Sequence, residues 1–379
     1  MPPVRPILVL HLATFAFFFA YGLSVPTLPL YLKALGLGPE WIGWAVALMP
    51  LAGLLLRPFG GWAADAWSRK GPALLGLFLS SLAGFFYLGP LPAVLFGRFL
   101  QGAGMALFAP STLAMTSDLA PKETLGRVMG TRNLLIGLGV MLGTALGGFL
   151  VDLAGPRAVF LLLALVQLPW FWPLLALPET LKSPEPVRWW QGFLKALGIA
   201  GVRAATWANT GFAMVFSVLQ AFYPLFLVRQ GYSASWVGAF FGFYSLISVI
   251  ARYPAGILVD RKNPYRVAAT GFFLATLGLF LLWAFPSPPL ALLAGVLMGT
   301  GSGLYLPANI VAVTKATPKE LRGSAFSLFT ASWDAGGLLG PPLAGILVRH
   351  FGEPAIFPLA AALALFTALT YLRLARRVL

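Results

Sequence analysis

The sequence predicts an all-α membrane protein of twelve transmembrane helices in two pseudo-symmetric six-helix bundles. Three observations predict it: an apolar composition, long apolar runs and an internal repeat. Of 379 residues, 59% are hydrophobic and only 10% are charged, where a soluble chain carries roughly a quarter charged residues. The mean hydropathy is +0.85. Apolar runs reach 18 residues or more, enough for a helix to cross a hydrocarbon core of about 30 Å. In lipid the backbone must satisfy its own hydrogen bonds, which leaves helices or closed barrels. These runs are too long and too continuously apolar for barrel strands, which alternate over about ten residues.

Taken in order, the expected helices are 7–32, 40–64, 71–90, 92–117, 124–151 and 156–177, then 203–229, 235–259, 265–285, 289–314, 322–348 and 354–374. The first run begins at Ile7 without a small-residue cleavage site after it, so it reads as a retained helix. Between the two sets lies a polar stretch with Pro and Trp. The expected organisation is therefore an N-terminal six-helix bundle (1–178), a cytoplasmic linker (179–202) and a C-terminal six-helix bundle (203–379).

The repeat carries this division. A shift of 195 residues lays Trp41 on Trp236, Gly43 on Gly238, Arg57 on Arg252 and Asp65 on Asp260. A shift of 197 lays Gly102 on Gly299, Gly104 on Gly301, the Pro121-Lys122-Glu123 triplet on Pro318-Lys319-Glu320, and Gly148 on Gly345. Chance matches of Gly are common in a Gly-rich chain; matched Arg, Asp, Trp and a charged triplet are not. Both copies start on the same side, so the repeats are parallel, related by an axis along the membrane normal.

A net charge of +15 could suggest nucleic acid, but its distribution argues against that. Eighteen of the 26 Lys and Arg fall at the two ends or in alternate inter-helix gaps, and only Lys33, Arg157, Arg229 and Arg349 fall in the other gaps. This is the positive-inside bias, and it places both termini in the cytoplasm. Arg57, Arg98, Arg132 and Arg252 lie inside apolar segments. The chain has no cysteine, so it has no disulfide or thiol chemistry. It contains no Walker, HExxH or GxSxG pattern, so nothing supports ATP drive or hydrolase chemistry. The expectation is a protein that is not an enzyme and carries no cofactor or metal.

Four sequence features bear on function. At the end of the second helix, residues 60–70 read GGWAADAWSRK, echoed at 256–262 as GILVDRK; small residues let helices approach closely, and the acid can accept from a helix N-terminus or a cation. The fourth helix holds LFGRFLQGAGMA at 95–106, with Arg98 inside the membrane, a costly position that should face protein or water. The fifth holds GLGVMLGTALGG at 137–148, with small residues every three or four positions. Finally, Asp334 is the one carboxylate well inside a helix.

The first of these resembles the G-x-x-x-D-x-x-G-R-K signature of the major facilitator superfamily (MFS), with Ser68 where the second Gly is usual. The second resembles the L-x-x-x-R-x-x-Q-G-x-G-A pattern of proton-coupled members, matched by Arg98, Gln101, Gly102 and Gly104. The third resembles the glycine-rich signature of exporters, with Thr144 in place of Pro. The resemblance spans the whole chain and is closest to twelve-helix proton-coupled drug and metabolite efflux members. It implies the MFS fold and a charge network latching one conformation, by position Asp65, Arg69, Asp118 and Arg127; a topogenic loop of solvated charges fits the same residues. It ties Arg98 to proton coupling, where an interhelical anchor is the other reading.

A lone buried acid should be pushed toward protonation, as a coupling site requires. Asp334 is therefore expected to be either the proton site or an inter-domain latch paired with Arg57; Asp260 joins the latch candidates. In the family the cavity is lined by the first, fourth, seventh and tenth helices. The residues this assigns are Phe18, Tyr21, Gln101, Met105, Phe108, Asn209, Phe212, Phe216, Gln220, Tyr223, Tyr305 and Asn309. Arg132 and Asn133 join them because they break the repeat. An apolar, aromatic set with few amides suits a lipophilic or amphiphilic compound better than a sugar; for any single aromatic, lipid contact or packing is the commoner role.

The expected function is a secondary active transporter, exporting a small amphiphilic or lipophilic compound in exchange for protons by alternating access. The alternatives are a facilitator or symporter for a metabolite or organic anion, and a transport-dead membrane sensor or scaffold. The expected partners are the lipid bilayer, a small-molecule substrate and protons, with no nucleic acid, in a monomer. The expected location is the cytoplasmic (inner) membrane of a prokaryote.

Overall fold

The computed structural model describes residues 4–181, 189–284, 287–318 and 321–375. Its regular elements are helices, and no strand occurs among the described residues. They are α1 (Val4–Ala34), α2 (Pro39–Ala66), α3 (Lys70–Phe86), α4 (Leu91–Leu119), α5 (Leu125–Leu165), α6 (Phe171–Leu175), α7 (Trp189–Gly198), α8 (Ala200–Arg229), α9 (Ala234–Arg261), α10 (Pro264–Ala284), α11 (Pro288–Ala316), α12 (Arg322–Phe351) and α13 (Ile356–Ala375).

Nine stretches among the described residues are helical, long and apolar enough to cross a membrane. One of them, Leu125–Leu175, is broken at Gly155 (φ 79°) and supplies two arms. The shorter apolar α3 and the more polar α12 complete the twelve expected passes. Exposed tryptophans such as Trp41, Trp44, Trp67 and Trp172 lie near helix ends, where amphipathic rings sit at the headgroup level.

The chain gathers into two compact units. Unit 1 comprises Met1–Tyr31, Leu48–Val187 and Ser233–Gly238; unit 2 comprises Leu32–Ala47, Arg188–Tyr232 and Ala239–Leu379. Within unit 1, a dry core forms from Leu10, Ala13, Phe17, Ala73, Leu77, Phe108, Met115 and Leu174. Phe17 and Phe108 stack face to face with centroids 4.2 Å apart. Within unit 2, Val202, Ala205, Val313, Ala325, Leu328 and Phe329 form a corresponding core.

The repeat is visible in the packing itself. A methyl group added at Gly104 on α4 would lie 2.6 Å from the Gly76 carbonyl oxygen of α3; one added at Gly301 on α11 would strike the Gly271 carbonyl oxygen of α10. These are the same contact, carried from one half to the other by the two offsets. Small residues serve this purpose in membrane bundles, where close van der Waals approach drives association. The positive-φ residues repeat too: Gly36 and Gly231 (both φ 86°) follow the first helix of each half, and Gly155 (φ 79°) and Gly352 (φ 78°) break the chain after the fifth. Only glycine takes that conformation without steric cost.

Candidate functional site

In unit 1 the polar groups converge on Gln101. Its amide oxygen accepts from the Tyr87 hydroxyl and from Arg98 Nη1, each at 2.8 Å, and its amide nitrogen donates to Ser24 Oγ at 3.3 Å. Tyr87 is fully buried, and Gln101 and Arg98 are nearly so. One amide thus ties α1, the C-cap of α3 and α4 together around a guanidinium. Arg98 Nε makes no hydrogen bond among the described residues.

Nearer the linker-side ends of the same helices lies a second guanidinium. Arg132 Nη2 donates to the Ala109 carbonyl and to Thr112 Oγ1, each at 3.2 Å. His11 of α1 lies within range of its charge. Arg132 is buried while its neighbour Asn133 is exposed, so a single residue step along α5 separates an interior cation from a surface amide.

Unit 2 holds a chain of neutral groups. Asn209 donates to the Phe329 carbonyl at 2.7 Å and accepts from the Tyr305 hydroxyl at 3.0 Å; Asn309 donates to that hydroxyl at 2.7 Å and to the Ala205 carbonyl at 3.0 Å; Tyr371 donates to Asn309 Oδ1 at 2.9 Å. Asn209, Tyr305 and Asn309 are buried, and their amide and hydroxyl groups bond to protein across α8, α11, α12 and α13. Phe108 likewise sits in the core of unit 1, and Tyr223 is buried against Phe240 and Phe357.

Beside that chain is an aromatic face. Phe212 stacks on Tyr305 at 4.5 Å, Phe216 contacts Tyr244 at 5.8 Å, and Trp333 lies 5.8 to 5.9 Å from both phenylalanines. Phe216 and Trp333 are partly exposed. Asp334 follows Trp333 midway along α12 and is 5% exposed. It is the one buried carboxylate found among the described residues. Phe18, Tyr21 and Met105 in unit 1, and Gln220 in unit 2, are also partly exposed. Trp333 was not anticipated from the sequence, because it belongs to the eleventh transmembrane helix and not to the four that line the family's cavity.

At the linker-side end of unit 1, Arg69 and Asp118 form an ion pair. Arg127 is exposed; the Asp65 side chain lies outside the described residues. Arg57 is partly buried in α2 and Asp260 exposed at the end of α9. A further acid, Glu179, was missed. It accepts from Ser68 Oγ, from Arg69 N at 3.1 Å and from Lys70 N at 3.3 Å, which caps α3 from over a hundred residues away. Burial pushes its carboxyl up, but these bonds from Ser68, Leu181, Arg69 and Lys70 outweigh it and hold the pKa down at about 2. The available signal was an acid just past the last helix of the first half. The second half has a local substitute: Asn263 Oδ1 accepts from Tyr265 N at 2.9 Å at the start of α10.

At the far-side ends two matched contacts occur. In unit 1, Asp152 on α5 accepts from Ala234 N at 3.1 Å, Ser235 N at 2.6 Å and Ser235 Oγ, capping α9. In unit 2, Arg349 on α12 donates to Glu40 at the start of α2, at 2.8 Å. The repeat offsets lay Asp152 on Arg349 and Glu40 on Ser235: the positions match and the charges differ.

Twelve apolar passes in two repeats, with buried polar groups at mid-helix, define a multi-pass membrane transporter. The chain belongs to the Major Facilitator Superfamily, whose model matches residues 10–282 and 237–378. Being a transporter of this family, it is not an enzyme, and it binds small-molecule substrates within a membrane. It is 28% identical to the uncharacterized MFS-type transporter YhhS of Escherichia coli K12, over 96% of this chain and 91% of that protein. It is 26% identical to the multi-drug resistance efflux pump PmrA of Streptococcus pneumoniae serotype 4, over 89% and 87%. In fold it is similar to a bacterial homolog of the human lysosomal transporter Spinster, with a TM-score of 0.82 at 15% identity over 98% of this chain and 96% of that one.

Proposed function

We propose that this transporter exports small amphiphilic or lipophilic compounds in exchange for protons, by rocking the repeat halves 1–178 and 203–379 about a central site. The observation that carries the reading is Asp334, a buried mid-helix carboxylate beside a partly exposed aromatic face. An ionisable residue inside a membrane helix marks a functional site by default, and a carboxyl group is chemically able to carry the coupled proton. Partly exposed Phe216, Trp333, Phe18 and Met105 offer apolar contact with few polar demands, the chemistry of a lipophilic cargo. The similarity to an efflux pump supports the direction. Arg98, a buried guanidinium of α4, is the second proton-coupling residue of this reading; Arg69 and Asp118 latch the linker side. We place both termini in the cytoplasm, in a prokaryotic inner membrane, and read the protein as a monomer.

Purified protein in liposomes with an imposed pH gradient tests this. Uptake of a lipophilic cation dye such as ethidium should follow the gradient, and Asp334→Asn should abolish that dependence while leaving dye binding intact. Unaltered coupling in Asp334→Asn would sink the proton role. A second reading is transport of an organic anion, which Arg132 favours: its guanidinium is buried and bonded to a carbonyl and a hydroxyl. Gradient-independent uptake of a carboxylate dye, lost in Arg132→Gln, would select it.

A further inference from the structure

The helix α7, Trp189–Gly198, belongs to neither repeat. Its register puts the apolar positions 189, 190, 193, 194, 196 and 197 on one arc and 191, 192, 195 and 198 on the other. Among the described side chains of the apolar arc, protein covers Ala196 at one edge. Ala196 is fully buried against Val202, Ala205 and Ala325 in the core of unit 2. Leu194 and Leu197 are 51% and 41% exposed. Lys195 is exposed on the polar arc.

The position of α7 is set by its connection to α8. Only Ile199 separates the two helices, and the apolar span of α8 begins at Ala200. Arg203 Nη1 donates to the carbonyls of Leu197 at 3.3 Å and Gly198 at 2.9 Å. A cation there satisfies the last carbonyls of α7 and its dipole, and it fixes the angle between the helices. The end of α7 is thus tied to the edge of the hydrocarbon layer. Trp207, two turns further along α8, is exposed with its indole N–H donated to Thr370, as a headgroup-level ring would be.

We infer that α7 is an interfacial helix whose partner is the adjacent leaflet: Leu194 and Leu197 enter the acyl boundary, and Lys195 and Arg203 meet anionic phospholipid headgroups. Amphipathic helices with a basic polar face bind this way, through buried apolar area and attraction to acidic lipid. A water-exposed helix would gain nothing from two leucines beyond its packed edge.

The absence of cysteine makes the test direct. Leu194→Cys, Lys195→Cys and Leu197→Cys each carry one spin label in the full chain, in vesicles of phosphatidylcholine alone or mixed three to one with phosphatidylglycerol. Power-saturation electron paramagnetic resonance reads access to oxygen and to a soluble nickel chelate. The oxygen-to-nickel ratio should be about threefold or more higher at 194 and 197 than at 195, and the contrast should grow with phosphatidylglycerol. Nickel-dominated access at all three positions in both vesicles overturns the inference. So does exclusion of both reagents at 194 and 197, which would mean a protein cover such as a second copy. A contrast indifferent to phosphatidylglycerol overturns the anionic part.

Discussion

Removing the Asp152 cap should release the far side of the transporter. The carboxylate accepts two backbone N–H groups and one hydroxyl at the start of α9. Replacing a capping side chain by Ala costs about 0.5–2 kcal/mol, and a negative charge at a helix N-terminus adds about 0.3–1 kcal/mol. These terms overlap, so about 1–2 kcal/mol is a fair sum. The matched pair Glu40–Arg349 joins two side chains of which the arginine is 62% exposed, so it supplies about 0.5 kcal/mol and cannot compensate. If rocking parts α5 from α9, the cap exists in one state only. Asp152→Ala then shifts the equilibrium toward the far-side-open state roughly five- to thirtyfold. Cysteines placed at exposed Leu153 and Gln230 would carry two spin labels, and double electron–electron resonance in nanodiscs would read the far-side distance. Ser235→Ala, which loses one bond of three, should shift the populations less. A distribution unchanged within twofold in Asp152→Ala, or a larger shift in Arg349→Gln, would refute the reasoning.

Two further outcomes concern stability. Tyr371→Phe leaves the buried Asn309 oxygen without its donor and should cost about 1–3 kcal/mol in reversible dodecyl sulfate unfolding; a loss below about 0.5 kcal/mol would show that the network is not a strut. Glu179→Gln removes the acid that caps α3. Because the folded pKa lies near 2, below the ordinary 4.5, the charged form stabilises the fold above about pH 4.5, and that contribution fades as pH falls toward 2. The group is exposed, so screening reduces it to about 1 kcal/mol. The stability gap between the two proteins should be constant from pH 7 to 5 and narrow by pH 3; a gap that stays constant to pH 3 argues against it.

What the sequence disclosed and what it hid follow from how each feature is encoded. Hydropathy and the two offsets announced the helices and their pairing because lipid imposes one solution on every apolar run, and because close backbone approach needs small residues at matched positions. Gly104 and Gly301 could be matched before their partners were known. The burial of the amides could not. Asn209, Tyr305 and Asn309 have the residue types of a cavity lining, yet each finds protein partners on other helices, and polar identity alone does not distinguish a strut from a ligand. Glu179 was hidden by distance, since a cap made across 110 residues leaves no local pattern. Asp152 and Arg349 were hidden for the opposite reason. They occupy one repeat position, but a comparison that rewards identity discards a pair of opposite charge. That pair is where the duplicated scaffold departs from symmetry. One side holds a helix dipole with a carboxylate, the other holds a surface ion pair. The first is anchored to backbone N–H groups, the second joins two side chains, so the two far-side contacts break at different cost. Mutation of the two positions should therefore have unequal effects although the repeat treats them as equivalent.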